Sequence, residues 1–189
     1  MTDEARSLRL TTALGGLSRD PRVATTPIGD LVAAALPDSW HVVGHQVQFF
    51  AEVLVLREGG SDTWGVLVLP IPVRGWPSTW QEVPPEPVPY DTLSPDRRAR
   101  LLAHQLDVRI GTLPEIVASY LDPVDEVRDD EDLLEVERKV PHGYLVVLAV
   151  LLDVAPQRER PTLEARLRRS GVETPVMVRL TGMPPTGKD

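Results

Sequence analysis

Residues 41–57, HVVGHQVQFFAEVLVLR, decide the fold class of this chain. His41, Val43, His45, Val47, Phe49, Ala51, Val53 and Val55 occupy alternate positions, with Gln46, Gln48 and Glu52 between them. A period of two is the signature of a strand with one face toward a core. Glu58-Gly59-Gly60-Ser61-Asp62 follows as a turn, and residues 63–73 (TWGVLVLPIPV) return as a second strand. The pattern predicts a long β-hairpin over about 41–73.

Beyond the hairpin lies a proline-rich segment, residues 70–95, with prolines at 70, 72, 77, 84, 85, 87, 89 and 95. Fixed φ angles and missing amide donors exclude a long helix or a central strand there. The segment is expected to run extended, near polyproline II, with Pro70 and Pro72 pushing the end of the second strand to a sheet edge or off the sheet. Trp64, Trp76, Trp80 and Tyr90 accompany the prolines. Such side chains bury large areas while keeping a polar handle, and proline lowers the entropy lost when an arm is immobilised. Trp64, Trp76, Trp80, Pro84, Pro85, Pro87 and Tyr90 are therefore the candidate partner-binding residues. The competing reading is that the tryptophans cover the hairpin's own core.

Helices are punctuated on both sides of this segment. Residues 5–17 suit a short helix ending at Gly15-Gly16, and Asp30 to Leu36 a second one stopped by Pro37. Ser94-Pro95 opens a helix whose apolar stripe, Ala99, Leu102, Ala103, Leu106 and Ile110, predicts that it runs to Gly111. Thr112-Leu113-Pro114-Glu115 has the form of a capping box and starts a helix through Leu121. A third helix is expected from Pro123 to about Lys139. Tyr144 to Val154 is apolar on nearly every face, and its short Val/Leu run favours a buried strand over a helix. A helix over 161–170 and a strand at Val176–Leu180 would complete a C-terminal strand–helix–strand. The whole is an α+β chain: an N-terminal arm over 1–22, one domain over 23–182, and a polar tail over 183–189.

With 189 residues and 42% hydrophobic content, the chain can bury a substantial core without staples. It has no cysteine, which excludes disulfides, thiolate-bound metals and thiol nucleophiles. A net charge of −8 argues against a broad nucleic-acid surface. The acidic start and the shortness of the 144–152 apolar run, about half of what a spanning helix needs, make a cytoplasmic protein the expectation, with no membrane partner.

Chemistry-bearing residues are few. His41 and His45 would share a metal on a helix, but on a strand their separation is about 13 Å, too far for one ion. His104 lies just off a helical stripe, and His142 stands in a Pro141–Tyr144 loop with no Gly-x-Ser-x-Gly elbow to serve it. The acidic run Asp125 to Glu137 has no glycine for a cation loop and suits a solvated helix face. Neither Gly15-Gly16 nor Gly59-Gly60 has a nucleotide-binding form. The arginines between Arg158 and Arg169 are interspersed with Glu159 and Glu164, as on a solvated helix. No catalytic, cofactor or metal residue is assigned. The expectation is a non-enzymatic interaction or assembly subunit that binds other protein chains, its own copies or different ones, as in a phage-like or other multi-subunit particle. One alternative is a small acidic immunity-type or inhibitor-type module for a basic protein; another is an enzyme centred on His142.

Overall fold

A computed structural model describes residues 3–47, 51–70, 73–74, 86–121 and 142–170. Its strands are β1 (Trp40–Val47), β2 (Ala51–Glu58), β3 (Trp64–Pro70), β4 (Val73–Arg74), β5 (Glu86–Pro87) and β6 (Asp107–Gly111). Its helices are α1 (Asp3–Gly15), α2 (Ile28–Ala35), α3 (Pro95–His104), α4 (Leu113–Leu121), α5 (His142–Val154) and α6 (Arg160–Arg169). The fold is α+β. Among the described residues, one antiparallel sheet has the order β1-β2-β3-β6, and β4 and β5 pair separately.

Alternation along β2 and β3 sends side chains to two helical layers. Leu54, Leu56, Leu67 and Leu69 meet α1, α2 and α3 through Leu10, Leu14, Leu31, Val32, Leu101 and Leu102. Ala51, Val53, Val55, Trp64 and Val66 meet α4, α5 and α6 through Ile116, Val117, Val147, Val150, Leu163 and Leu167. Both central strands are thus covered on both sides. Each fully buried Val or Leu contributes about 1.5–3 kcal/mol relative to exposure. Leu10 and Leu14 of α1 sit in this core.

The expected strand over 41–57 is two strands. β1 and β2 pair with each other, from Trp40↔Glu58 to Val47↔Glu52, so the chain direction reverses between Val47 and Ala51. A register shift between Val42 and Gly44 breaks the alternation, which is why His41, Val43 and His45 do not line a core face as the period of two implied. The turn after β2 carries Gly60 at φ 75°, and the Ser61 hydroxyl donates to Glu58 Oε2 at 2.8 Å. Pro70 is the last residue of β3, opposite Ala51, at the end of a strand that is central in the sheet.

Two further expectations are corrected. The helix opened by Ser94-Pro95 stops at His104, and residues 107–111 form β6 against β3, with Val68 opposite Asp107 and Trp64 opposite Gly111. Val108 and Ile110 pack toward the α1–α3 layer while Arg109 stacks over Tyr120 on the other side, a period of two that tertiary pairing imposes over the helical stripe. Residues 144–154 belong to helix α5 and not to a strand. α5 is enclosed by β2, β1, α4 and α6, which accounts for apolar residues around its circumference. The strand–helix–strand therefore has a helix in first place; Val176–Leu180 and the helix expected over 123–139 lie outside the described residues. At α4, Glu115 Oε2 accepts the Thr112 amide at 2.8 Å, one half of a capping box.

α5 packs against β1 at Gly44. A methyl group added there would lie 2.6 Å from Val154 Cγ1 and 3.6 Å from Val55 Cβ. Gly44→Ala should lower unfolding free energy by about 1–3 kcal/mol through overpacking. Adding Val154→Ala should return part of that loss, as read by urea denaturation of the single and double variants. Equal stability of Gly44→Ala and the unsubstituted protein would show that α5 does not rest on β1 at this point.

Candidate functional site

A buried polar cluster lies on the α1–α3 side of the sheet, where β2 carries Glu52 in an otherwise apolar run. Glu52 occupies the same face as Leu54 and Leu56 and is 1% exposed. A carboxylate so placed must find partners within the protein. Its Oε1 lies 2.6 Å from His45 Nε2 of the neighbouring strand, and its Oε2 accepts the Tyr90 amide at 2.8 Å. The His45 side chain retains 34% exposure at the sheet edge. α2 packs on its other side, where a methyl group at Gly29 would come within 3.3 Å of Nδ1.

Tyr90, toward the end of the proline-rich segment, is buried in the α1–α3 core. Pro89 has no amide donor, and Tyr90–Thr92 forms a single 3-10 turn closed by Thr92 N and Leu93 N. Asp91 Oδ1 accepts the Ile28 amide at 2.9 Å. The residue before Ile28 is Pro27, which supplies no side-chain cap, so this carboxylate serves an open donor of α2 from a remote part of the chain.

Arg98 of α3 completes the cluster from below. It is 9% exposed, and its Nε donates to Leu93 O at 3.0 Å and Nη1 to Val23 O at 3.3 Å. Nη2 donates to Asp91 O, and the guanidinium carbon stands 5.5 Å from the Tyr90 ring centroid. One side chain thereby ties the Pro21–Ala24 turn, the Tyr90–Thr92 turn and α3 together. Five fork donors and no acceptor suit arginine, not lysine, to gathering carbonyls.

Titration follows from this geometry. The Glu52 hydrogen bond holds the His45 pKa above the ordinary histidine value; burial opposes the rise, and the charges of Glu52 and Asp91 add to it. Burial pushes the Tyr90 phenol well above its usual range. The Tyr90 hydroxyl is buried without a hydrogen-bond partner among the described residues.

The sequence-derived candidates are distributed as follows. Trp64 is 3% exposed within the α4–α6 layer, with Arg57 5.0 Å from its ring centroid, and Tyr90 is 1% exposed in the opposite layer. Both are buried side chains in this fold. Trp76, Trp80, Pro84 and Pro85 lie outside the described residues; Pro87 is in β5. His104 is exposed at the end of α3, His142 opens α5, and the acidic run lies outside the described residues. Among the described residues no group of three or more His, Asp or Glu converges on a metal position, and no helix is long and apolar enough to cross a membrane.

Sequence reasoning missed Glu52, Asp91 and Arg98. Glu52 was placed on the polar face of a half-exposed strand, yet a single charge within AEVLVL, a run apolar at every other position, signals a carboxylate with a designated partner. The chain matches no protein-family model, no curated protein and no solved structure.

Two substitutions separate the parts of the cluster. Arg98→Ala leaves three carbonyls without their donor and should cost about 2–4 kcal/mol. Tyr90→Phe removes a hydroxyl that has no partner and should leave stability unchanged within about 1 kcal/mol or raise it. Chemical denaturation of both variants checks the pair; a large loss on Tyr90→Phe would reveal a partner for the hydroxyl.

Proposed function

We propose that this chain is a non-enzymatic interaction subunit that engages other protein chains through residues 75–85, GWPSTWQEVPP. The observation that carries the reading is how that stretch is held at its ends. On one side it follows β3 and β4; on the other it precedes β5 and the Tyr90–Thr92 turn. β4 and β5 pair antiparallel, Val73 with Pro87 and Arg74 with Glu86, so the two ends are brought together. Immediately after β5, three buried or partly buried polar contacts fasten the chain: Tyr90 N to Glu52, Ile28 N to Asp91, and Arg98 to the Asp91 carbonyl.

A closed base of this kind supports recognition because it removes part of the ordering cost before a partner arrives. Trp76 and Trp80 within these eleven positions are of the type that dominates binding hot spots, and Pro77, Pro84 and Pro85 lower the entropy lost when a segment is immobilised on a partner. Burial of the two tryptophans against a partner would remove large apolar area from water. The partner is another copy of the chain or a second protein within an assembly.

The ladder also dictates a clean test. Because Arg74 pairs with Glu86, Asn-Gly in place of residues 75–85 would close β4 and β5 as a two-residue hairpin. The expected result is an unchanged circular dichroism spectrum and midpoint of unfolding together with loss of association, measured by light scattering after gel filtration of purified protein and source lysate. Association that survives the replacement, or a free 20.9 kDa species in both unsubstituted samples, would overturn the proposal.

A further inference from the structure

We propose that His45, Glu52 and the Tyr90 amide form a pH-sensitive latch that fastens the Tyr90–Thr92 turn to the sheet, closed while His45 carries a proton and loosened when it loses it. The proposal rests on these contacts alone and does not depend on what residues 75–85 bind.

Three features make the arrangement responsive to protons. The sensor is reachable: the His45 side chain is 34% exposed, whereas Glu52 is 1% exposed and depends on protein donors. The carboxylate is divided between sensor and load, with Oε1 toward His45 Nε2 and Oε2 toward Tyr90 N. The load is also a junction, because the adjoining Asp91 caps α2 at Ile28 and its carbonyl is held by Arg98. Loosening Tyr90 therefore reaches the start of α2.

Charges facing His45 from every packed element set the sign. β2 contributes Glu52, and the Tyr90–Thr92 turn contributes Asp91. Arg98 of α3 stands over the Tyr90 ring, its donors going to the carbonyls of Leu93, Val23 and Asp91. α2 presents only the Gly29 backbone to the ring, and its Asp30 is exposed. With His45 protonated, a cation faces the Glu52 and Asp91 carboxylates, and the Nε2–H bond to Glu52 is charge-assisted at both ends. After deprotonation, Glu52 retains a neutral donor at best, in a setting where an under-compensated carboxylate is costly.

The folded-state pKa of His45 is raised above its unfolded value. Its contribution is then fully present below the unfolded value of about 6.5 and is lost as pH rises through the folded value. The turn should hold in mild acid and release on the alkaline side.

Amide hydrogen exchange of the full chain tests this residue by residue. The protection of the Tyr90 amide, corrected for intrinsic exchange and divided by that of Leu54 and Val66 in the central strands, should fall about tenfold between about pH 5.5 and about pH 8.5. His45→Gln, which keeps a neutral donor, should abolish that dependence. A ratio that stays constant in the unsubstituted protein, or a fall that persists in His45→Gln, would overturn the latch. Should the variant fail to fold, the NMR titration of the His45 ring decides: a midpoint above the ordinary histidine value and coincident with the loss of Tyr90 protection supports the latch, and any other midpoint refutes it.

Discussion

A sheet whose two central strands are covered on both sides leaves almost no position where a charge is tolerated, and the chain nevertheless places Glu52 on one of them. Burial of that carboxylate requires donors from two directions, and the structure meets the requirement with an edge-strand imidazole and a main-chain amide from beyond the proline-rich segment. Much of the α1–α3 layer is arranged around this need. Tyr90 is drawn against β2, Asp91 falls into reach of α2, and Arg98 closes the group by gathering carbonyls from two turns. On the opposite side α4, α5 and α6 pack on Ala51, Val53, Val55 and Val66 through apolar contact, with Arg109 bonded to Asp107 and Ser119 over the Tyr120 ring.

The buried polar cluster and the apolar packing around it differ in their tolerance to change. In apolar packing, substitutions act through volume and shape, as at Gly44 against Val154. In the cluster they act through satisfaction of donors and acceptors, where removing one member leaves others stranded and effects do not add. The surface arginines of α6 belong to neither case. Arg168 and Glu164 are paired at 3.7 Å with the arginine 67% exposed, so salt and competing water leave that pair with little weight.

How much was legible in the sequence depends on whether a local signal coincided with the tertiary one. Gly59-Gly60 announced the β2–β3 turn because a positive φ needs glycine, and Ser94-Pro95 and Thr112 to Glu115 announced two helix starts through capping chemistry. The reversal between β1 and β2 had no such marker: Val47-Gln48-Phe49-Phe50 contains no glycine, proline, asparagine or aspartate, so two strands read as one. β6 was hidden because Leu106 and Ile110 continued the spacing of the preceding helix, and pairing with β3 outweighed it. α5 was misread because enclosure by a sheet and two helices erases the amphipathic stripe on which the distinction between helix and strand relies. The polar cluster joins residues of low sequence proximity, so only the pattern at Glu52 could have hinted at it.

The cap that Asp91 provides to α2 spans 63 residues, and the Glu52–Tyr90 contact spans 38. Contacts of such separation form only after much chain entropy has been given up, whereas β1, β2 and β3 adjoin in sequence and can assemble from nearby partners. The order of events on the folding path follows. The three-stranded meander is the natural nucleus, with Glu52 still hydrated, and dehydration of its carboxylate accompanies the late docking of Tyr90 and Asp91. Weakening of the cluster should accordingly quicken unfolding while leaving the rate of folding nearly as it was.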